Sequence, residues 1–234
     1  MIKTICLSSI EEACIALRGG KFILVHDDET RENEIDMVFP AEYIRPKHVA
    51  TMRQEAGGLI CLAISNYVAS KLGLPYMHDI FRSLSTVNQG FPKLIWDKSP
   101  YGDKPSFSIS INHRNTYTGI TDADRAMTIS SMAKICKNID CGGIEEFGNS
   151  FRAPGHVPIL IASEGLIRER AGHTELCIYL AHLAGITSAV VICEMLDPVA
   201  YSALSSEEAK KYAARNDIPF IESSQLKKIH IKQV

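Results

Sequence analysis

Apolar and polar positions switch repeatedly between a helical period and short strand-like runs. Ser9 and Glu12 stand at capping-box spacing before Ala13, Cys14, Ala16 and Leu17, and Gly19-Gly20 follows, which predicts a first helix. Residues 22–25 and 35–39 are apolar runs that read as strands flanking a polar stretch at 27–34. Pro46 opens a helix to about residue 56, ended by Gly57-Gly58, and 59–64 reads as a strand. Serines alternate with apolar residues over 106–111, the pattern of a half-buried strand. Thr121 and Asp124 cap a helix to about residue 137, and 158–162 is a strand. A strong helix at 174–184 closes at Gly185, and 189–193 is a buried strand. Ser205 and Glu208 cap another helix, then come a short strand at 219–221 and a last helix from Ser223.

Residues 75 to about 105 interrupt the alternation with Pro75, Gly90, Pro92, Pro100, Gly102 and Pro105, and with aromatics at 76, 81, 91, 96 and 101. A partly ordered excursion of this length is either a lid over a substrate or a surface insertion, and the sequence leaves both open. There is no repeat, low-complexity tract or linker. The pattern predicts one domain of mixed α/β or α+β type.

Composition narrows the function classes. The 234 residues are 46% hydrophobic and 22% charged, enough to bury a sizeable core and too apolar for a disordered chain. The formal net charge of −2 argues against a protein that holds nucleic acid mainly by charge. The longest apolar runs, such as 157–162, fall far short of the roughly 20 residues of a membrane helix. The start, Met1 to Cys6, lacks the apolar core of a secretory signal. Seven cysteines with no C-x-x-C pair read as reduced, mostly buried thiols of a cytoplasmic protein.

Two clusters carry candidate chemistry. Residues 27–36 hold six acids in ten positions: Asp27, Asp28, Glu29, Glu32, Glu34 and Asp36, with Arg31 among them. A solvated acidic loop is the plain reading. Against it, the cluster lies between two apolar strands, and in extended chain Glu32, Glu34 and Asp36 share one face. Carboxylates gathered so closely repel unless a cation joins them, and hard oxygen donors favour Mg²⁺ or Mn²⁺. The stretch fails the EF-hand pattern, which needs glycine at its sixth position.

The second cluster, Arg168 to Glu175, leads into the helix at 174–184. Free N–H groups at a helix start attract anions, Gly172 permits close approach, and Arg170 offers a fork suited to phosphate oxygens. A sugar phosphate fits such a place; a plain helix cap with solvated arginines is the alternative. His173 and Glu175 have the H-x-E spacing of zinc deaminases, but the required downstream P-C-x-x-C is absent, as is H-E-x-x-H. Weaker features are Thr118-Gly119 before a helix start, His156 after a turn, and Glu194 at the end of a buried strand. Taken alone, these residues describe a metal-dependent enzyme acting on a small phosphorylated substrate.

The same segments resemble the 3,4-dihydroxy-2-butanone 4-phosphate synthases. The resemblance runs through the acidic stretch 27–36, Thr118-Gly119-Ile120-Thr121-Asp122-Ala123-Asp124-Arg125, Pro154-Gly155-His156-Val157, Gly172-His173-Thr174-Glu175 and Ile192-Cys193-Glu194, in that order. It covers roughly residues 8–222. Asp36-Met37-Val38, Ala56-Gly57-Gly58-Leu59-Ile60-Cys61 and the segment 106–114 look closest to the archaeal-type branch.

The resemblance implies a single α+β domain with a mixed sheet and surrounding helices, working as a homodimer. It implies a lyase of riboflavin biosynthesis that converts D-ribulose 5-phosphate to L-3,4-dihydroxy-2-butanone 4-phosphate and formate. A chain of this length looks monofunctional, without the fused GTP cyclohydrolase II domain of some bacterial relatives. Glu32 and His173 would hold Mg²⁺ or Mn²⁺, two ions per site. Arg31 and Asp36 would contact the sugar; Arg170, Ala171, Gly172, His173 and Thr174 would receive the phosphate end. His156 and Glu194 match positions essential to catalysis, and Asp27, Glu34, Cys61, Thr118 and Glu175 would complete the pocket. Glu34, Asp36 and Glu194 are all open as the first base, and Cys61 is either an acid or a lining residue.

Two departures stand out. Ile35 replaces a common glycine, and residues 103–109 replace a usual H-G-T-A-F-T-V stretch. No site residue is assigned within 76–104. Two alternatives share the expected sites: a metal-dependent sugar-phosphate isomerase or aldolase, and a catalytically silent ligand-binding relative. No redox or organic cofactor is implied, since G-x-G-x-x-G after a strand and the Walker lysine motif are both missing.

Overall fold

A computed structural model describes residues 9–95 and 99–233. The strands are β1 (Ile23–His26), β2 (Ile35–Pro40), β3 (Cys61–Ile64), β4 (Phe107–His113), β5 (Phe151–Ile161), β6 (Ala189–Glu194), a small hairpin of β7 (Leu196–Asp197) and β8 (Ser202–Ala203), and β9 (Phe220–Glu222). Seven of them form one sheet in the order β4-β5-β3-β6-β2-β1-β9. The β3–β5 and β1–β9 pairs are parallel and the other neighbours antiparallel, so the sheet is mixed as expected.

The helices are α1 (Ser9–Arg18), α2 (Pro46–Thr51), α3 (Asn66–Leu72), α4 (Met77–Ser83), α5 (Asp122–Lys137), α6 (Gly143–Ser150), α7 (His173–Ala184), α8 (Ser206–Asn216) and α9 (Ser223–Gln233). They cover both sheet faces, which explains why the central strands read as unbroken apolar runs. Alternate residues of one strand enter different cores. Leu24 joins Met37, Leu62 and Ile129 of α5 on one face, while Ile23 and Val25 join Val38, Val190 and Leu176 of α7 on the other.

Local chemistry sets most ends where the sequence predicts them. Thr121 and Ser205 accept bonds from the Asp124 and Glu208 amides, capping α5 and α8. Gly185, at φ +65°, closes α7. Other ends differ. The helix from Pro46 changes at Met52 into a π-helical turn to Ala56, and Gly57 at φ +86° ends it. β5 begins at Phe151, earlier than its apolar run, because a polar first half pairs with β4. The excursion from residue 75 contains α4, and α3, α6 and the β7–β8 hairpin are elements too short for periodicity to announce.

Five of the cysteines, 14, 61, 136, 177 and 193, are free and buried, while Cys141 is free and exposed; Cys6, like the chain start discussed above, lies outside the described residues. Among the described residues no helix is long and apolar enough to cross a membrane.

Candidate active site

The acidic stretch is a braced loop between β1 and β2. Asp27 does the bracing: one carboxylate oxygen accepts the Glu34 amide at 3.1 Å, and the other accepts the Glu32 amide and Arg31 Nη1, each at 3.1 Å. Asp27 is therefore occupied by the loop itself. The C-terminal elements add support. Ser223 Oγ donates to the Asp27 carbonyl, and Lys227 pairs with Asp28 at 2.9 Å. Glu222 pairs with His26, whose other ring nitrogen meets Asn33 Oδ1 at 3.1 Å. Asn33 sits at φ +55°, a left-handed conformation that asparagine tolerates. The chain is thus not extended from Glu32 to Asp36, which corrects the premise that alternation aligns those acids. They converge through the kink at Asn33 and the start of β2.

The convergence is on His173, the first residue of α7. Its Nδ1 lies 3.1 Å from Glu32 Oε2, and its Nε2 lies 3.1 Å from the Glu34 carbonyl and 3.9 Å from Asp36 Oδ1. Potential ligand atoms of Asp27, Glu32 and His173 lie within 4.8 Å of one another. Asp36 is buried, and its Oδ1 makes no hydrogen bond among the described residues. Burial pushes the Asp36 carboxyl up to about 7, with Glu194, Glu32 and Glu34 adding repulsion and His173 opposing the rise. Burial alone would lower His173, but Asp36, Glu32 and Asp27 outweigh it and hold the imidazole at about 10. Burial likewise works against the Glu32 charge, yet His173 and Arg31 hold its carboxyl down at about 2. Glu34 is raised by burial and by Glu32 and Glu194. Two carboxylates and an imidazole, with a spare buried oxygen on Asp36, fit a hard divalent cation. Asp27, Glu32 and His173 could hold it; Asp27 is also tied to the loop backbone, and Glu32 also pairs with Arg31 at 2.8 Å.

A candidate anion seat adjoins this cluster. Arg31 reaches it from the loop and Arg170 from just before α7, and they meet at Gly172. A Cβ there would come within 2.6 Å of Arg170 Nη1 and 2.8 Å of Arg31 Nη2, so glycine lets the two guanidinium groups close on this point without having to shift. Arg170 pairs with Glu175, which is fully buried in α7 and also accepts the Ser163 amide at 2.9 Å. Burial raises the Glu175 carboxyl against the pull of Arg170. Glu175 is therefore Arg170's fixed counter-ion and holds the fork in place. Gly172 is the N-cap of α7 and offers no side-chain cap, so the first amides of α7, Thr174 among them, have no capping side chain. Ala171 is half-buried beside them.

Glu194 ends β6, paired in register with Asp36. Its carboxylate accepts the Leu59 amide at 2.7 Å, and its carbonyl accepts the Gly58 amide at 3.0 Å. Burial pushes the Cys61 thiol up, and the charges of Glu194 and Asp36 add to the rise, so the thiol is neutral at physiological pH. His156 and Thr118 belong to a different group. Asn112 of β4 holds the His156 amide at 2.8 Å and its ring at 3.0 Å, and donates to the Thr118 carbonyl at 3.3 Å. Two glycines allow that packing: Gly155 lies against the backbone of Ile111, and Gly119, at φ +93°, lies against Asn112. His156 itself is exposed.

Three residues near these groups escaped the sequence reading as site residues: Asn112, Tyr101 and Asp103. Tyr101 lies under the Arg31 guanidinium, 4.6 Å from ring to cation, and hydrogen-bonds Glu32. Asp103 pairs with Arg31 at 2.8 Å and lies 3.8 Å from Arg170. Both fall in the excursion, where no local pattern marks them. Asn112 falls within a segment that carried the resemblance, but its role depends on cross-strand contact.

The fold and the site thus define a mixed-sheet α+β protein in which a carboxylate–imidazole cluster fit to hold a cation lies beside two arginines. Residues 11–229 match the family described as 3,4-dihydroxy-2-butanone 4-phosphate synthase, and the chain belongs to that family. It is 46% identical over 217 residues to the 3,4-dihydroxy-2-butanone 4-phosphate synthase of Methanothermobacter thermautotrophicus, covering 93% of each chain. It is 46% identical over 213 residues to that of Archaeoglobus fulgidus, covering 91% of this chain and 90% of the relative. A solved 3,4-dihydroxy-2-butanone 4-phosphate synthase in complex with two magnesium ions is similar at a TM-score of 0.78 and 27% identity, over 97% of this chain and 98% of that one. A cation-free structure of such a synthase gives a TM-score of 0.76 at 26% identity, over 98% of this chain and 99% of that one.

Proposed function

We propose that this chain converts D-ribulose 5-phosphate to L-3,4-dihydroxy-2-butanone 4-phosphate and formate, the step that supplies four carbons to riboflavin biosynthesis. The carrying observation is the meeting of a cation site and an anion seat at the first turn of α7: His173 faces Glu32, and Gly172 lies between Arg31 and Arg170.

The roles follow from what each group faces. Arg170, the amides of Ala171, Gly172 and Thr174, and the start of α7 receive the phosphate end, with Glu175 fixing Arg170. Arg31 and Asp36 orient the sugar. Glu32 and His173 would hold Mg²⁺, with Mn²⁺ as an equivalent and two ions in the full site; a bound cation supplies electrophilic charge beside vicinal sugar oxygens. Enolisation needs a base close to the sugar carbons, and Asp36 offers a buried oxygen with no hydrogen-bond partner of its own. Glu34 and Glu194 serve the later proton transfers, and Glu194 is held for this by the Leu59 amide. The neutral Cys61 thiol lines the pocket. His156, oriented by Asn112, and Thr118 act as a second group, and Asp27 keeps the loop in shape. The carbon skeleton shifts and one carbon leaves as formate, with the atoms of the substrate divided between the two products.

The working unit we propose is a cytoplasmic homodimer; Tyr117 and Ile120, exposed beside Thr118, supply apolar surface for the contact. A coupled formate assay on the purified chain with ribulose 5-phosphate and Mg²⁺ tests the reading. Formate that disappears with EDTA supports it, and substrate consumption without formate overturns it.

A further inference from the structure

The turn at residues 99–103 lies over the anion seat. Ser99 closes it: its amide donates to the Asp103 carbonyl at 3.0 Å, and its hydroxyl accepts the Asp103 amide at 3.1 Å. Gly102 takes φ +93° within it, as a tight turn requires. The turn turns two side chains inward. Tyr101 lies under Arg31, and Asp103 Oδ2 accepts from Arg31 Nε at 2.8 Å while standing 3.8 Å from Arg170 Nε.

Asp103 satisfies these arginines only in part. The Arg31 side chain is 8% exposed, yet its Nη2 makes no hydrogen bond among the described residues, and neither does Arg170 Nε. Buried guanidinium N–H groups without partners are costly, so the seat is built for an anion with more oxygens than one carboxylate presents. The carboxylate and a phosphate cannot share it, because two anions a few ångströms apart in a partly dry site repel.

We propose that Asp103 is an internal stand-in for the substrate's phosphate. It lies across Arg31 and Arg170, and the phosphate displaces it and releases the 99–103 turn. This rests on the reading that Arg170 and Gly172 receive the phosphate end. The device makes Asp103 a specificity-determining residue. A dianionic phosphate, with three acceptor oxygens, replaces the carboxylate, whereas an uncharged sugar offers the arginines nothing to exchange for it. Asp103 meanwhile orients the Arg31 fork, and Glu175 orients that of Arg170.

The test is binding of inorganic phosphate to the Mg²⁺-loaded protein by calorimetry, for the wild type, Asp103→Asn and Arg170→Ala. Asp103→Asn keeps the shape of the side chain and removes its charge. It is expected to bind phosphate at least about tenfold tighter than the wild type, the effect of removing a competing like charge. Arg170→Ala is expected to lose most of the binding. In the wild type, phosphate should also speed hydrogen exchange at the amides of Ser99 and Asp103, a measurement that stands even if Asp103→Asn fails to fold. Equal or weaker phosphate binding by a folded Asp103→Asn, or slower exchange at the turn, overturns the proposal and leaves the seat itself intact. Unchanged phosphate binding by Arg170→Ala overturns the seat, and the proposal with it.

Discussion

His173 Nδ1 lies 3.1 Å from Glu32 Oε2, although 141 positions separate the two residues. One lies in a kinked loop and the other begins a helix. The fold joins them because β1 and β2 present the loop beside the sheet face that α7 covers. The contact sets a carboxylate held low in pKa against an imidazole held high, the two groups proposed to hold a divalent cation.

Replacing either partner should remove the cation site. Groups that hydrogen-bond a metal's ligands typically cost about 10–100-fold in affinity or activity when lost, and a ligand itself costs no less, so Glu32→Gln and His173→Ala should each lower kcat/KM by at least about 100-fold. Circular dichroism should show the fold retained for Glu32→Gln. Activity within a few-fold of the wild type would remove Glu32 from the ligand set.

The same pair sets a pH dependence. Burial alone would lower His173, but Asp36, Glu32 and Asp27 raise it to about 10 from an ordinary 6.5. Its stabilising charge is therefore fully present below about 6.5 and fades as pH rises through about 10. A cation takes the neutral imidazole and must expel that proton. Mg²⁺ affinity should accordingly rise between pH 6.5 and 9, by no more than about tenfold per pH unit for one proton. Titration calorimetry in buffers of different ionisation enthalpy should record proton release. Binding without proton release would contradict the role of His173.

Arg170→Ala should act on substrate binding. Hydrogen bonds to charged groups are worth about 1.5–3 kcal/mol, so KM should rise roughly ten- to hundredfold. The variant also leaves the buried Glu175 without its counter-ion, so the melting temperature should fall, and should recover in part in Arg170→Ala/Glu175→Gln. Steady-state kinetics with a thermal melt separate the two effects.

Gly58 tests the placement of Glu194. A Cβ at Gly58 would meet the Glu194 carboxylate at 2.4 Å and its carbonyl at 2.5 Å. Gly58→Ala should therefore displace Glu194 and lower kcat by roughly 100-fold, the scale of a 1 Å misplacement. An unchanged kcat would show that Glu194 needs no such positioning.

The parts of this site that are local were legible in the sequence. Thr121, Ser205 and Gly185 mark helix ends by short-range hydrogen bonds and backbone conformation, and α7 and its anion-attracting start follow from Gly172-His173 before an apolar run. The acids of the loop were legible as a group, but their geometry was not. Asn33 at φ +55° breaks the alternation, and Asp27 turns its oxygens to the backbone, choices fixed by contacts with His26 and the C-terminal helix. Asp103 and Tyr101 were illegible because a turn's aim depends on what lies across from it, here two arginines remote in sequence. The pairing of His156 with Asn112 is likewise a product of β4–β5 register.

The most direct measurement is carbon-13 NMR of uniformly labelled ribulose 5-phosphate with the purified protein and Mg²⁺. One labelled formate is expected for each four-carbon phosphate formed, and neither in the presence of EDTA. Conversion to another five-carbon phosphate without formate would contradict it.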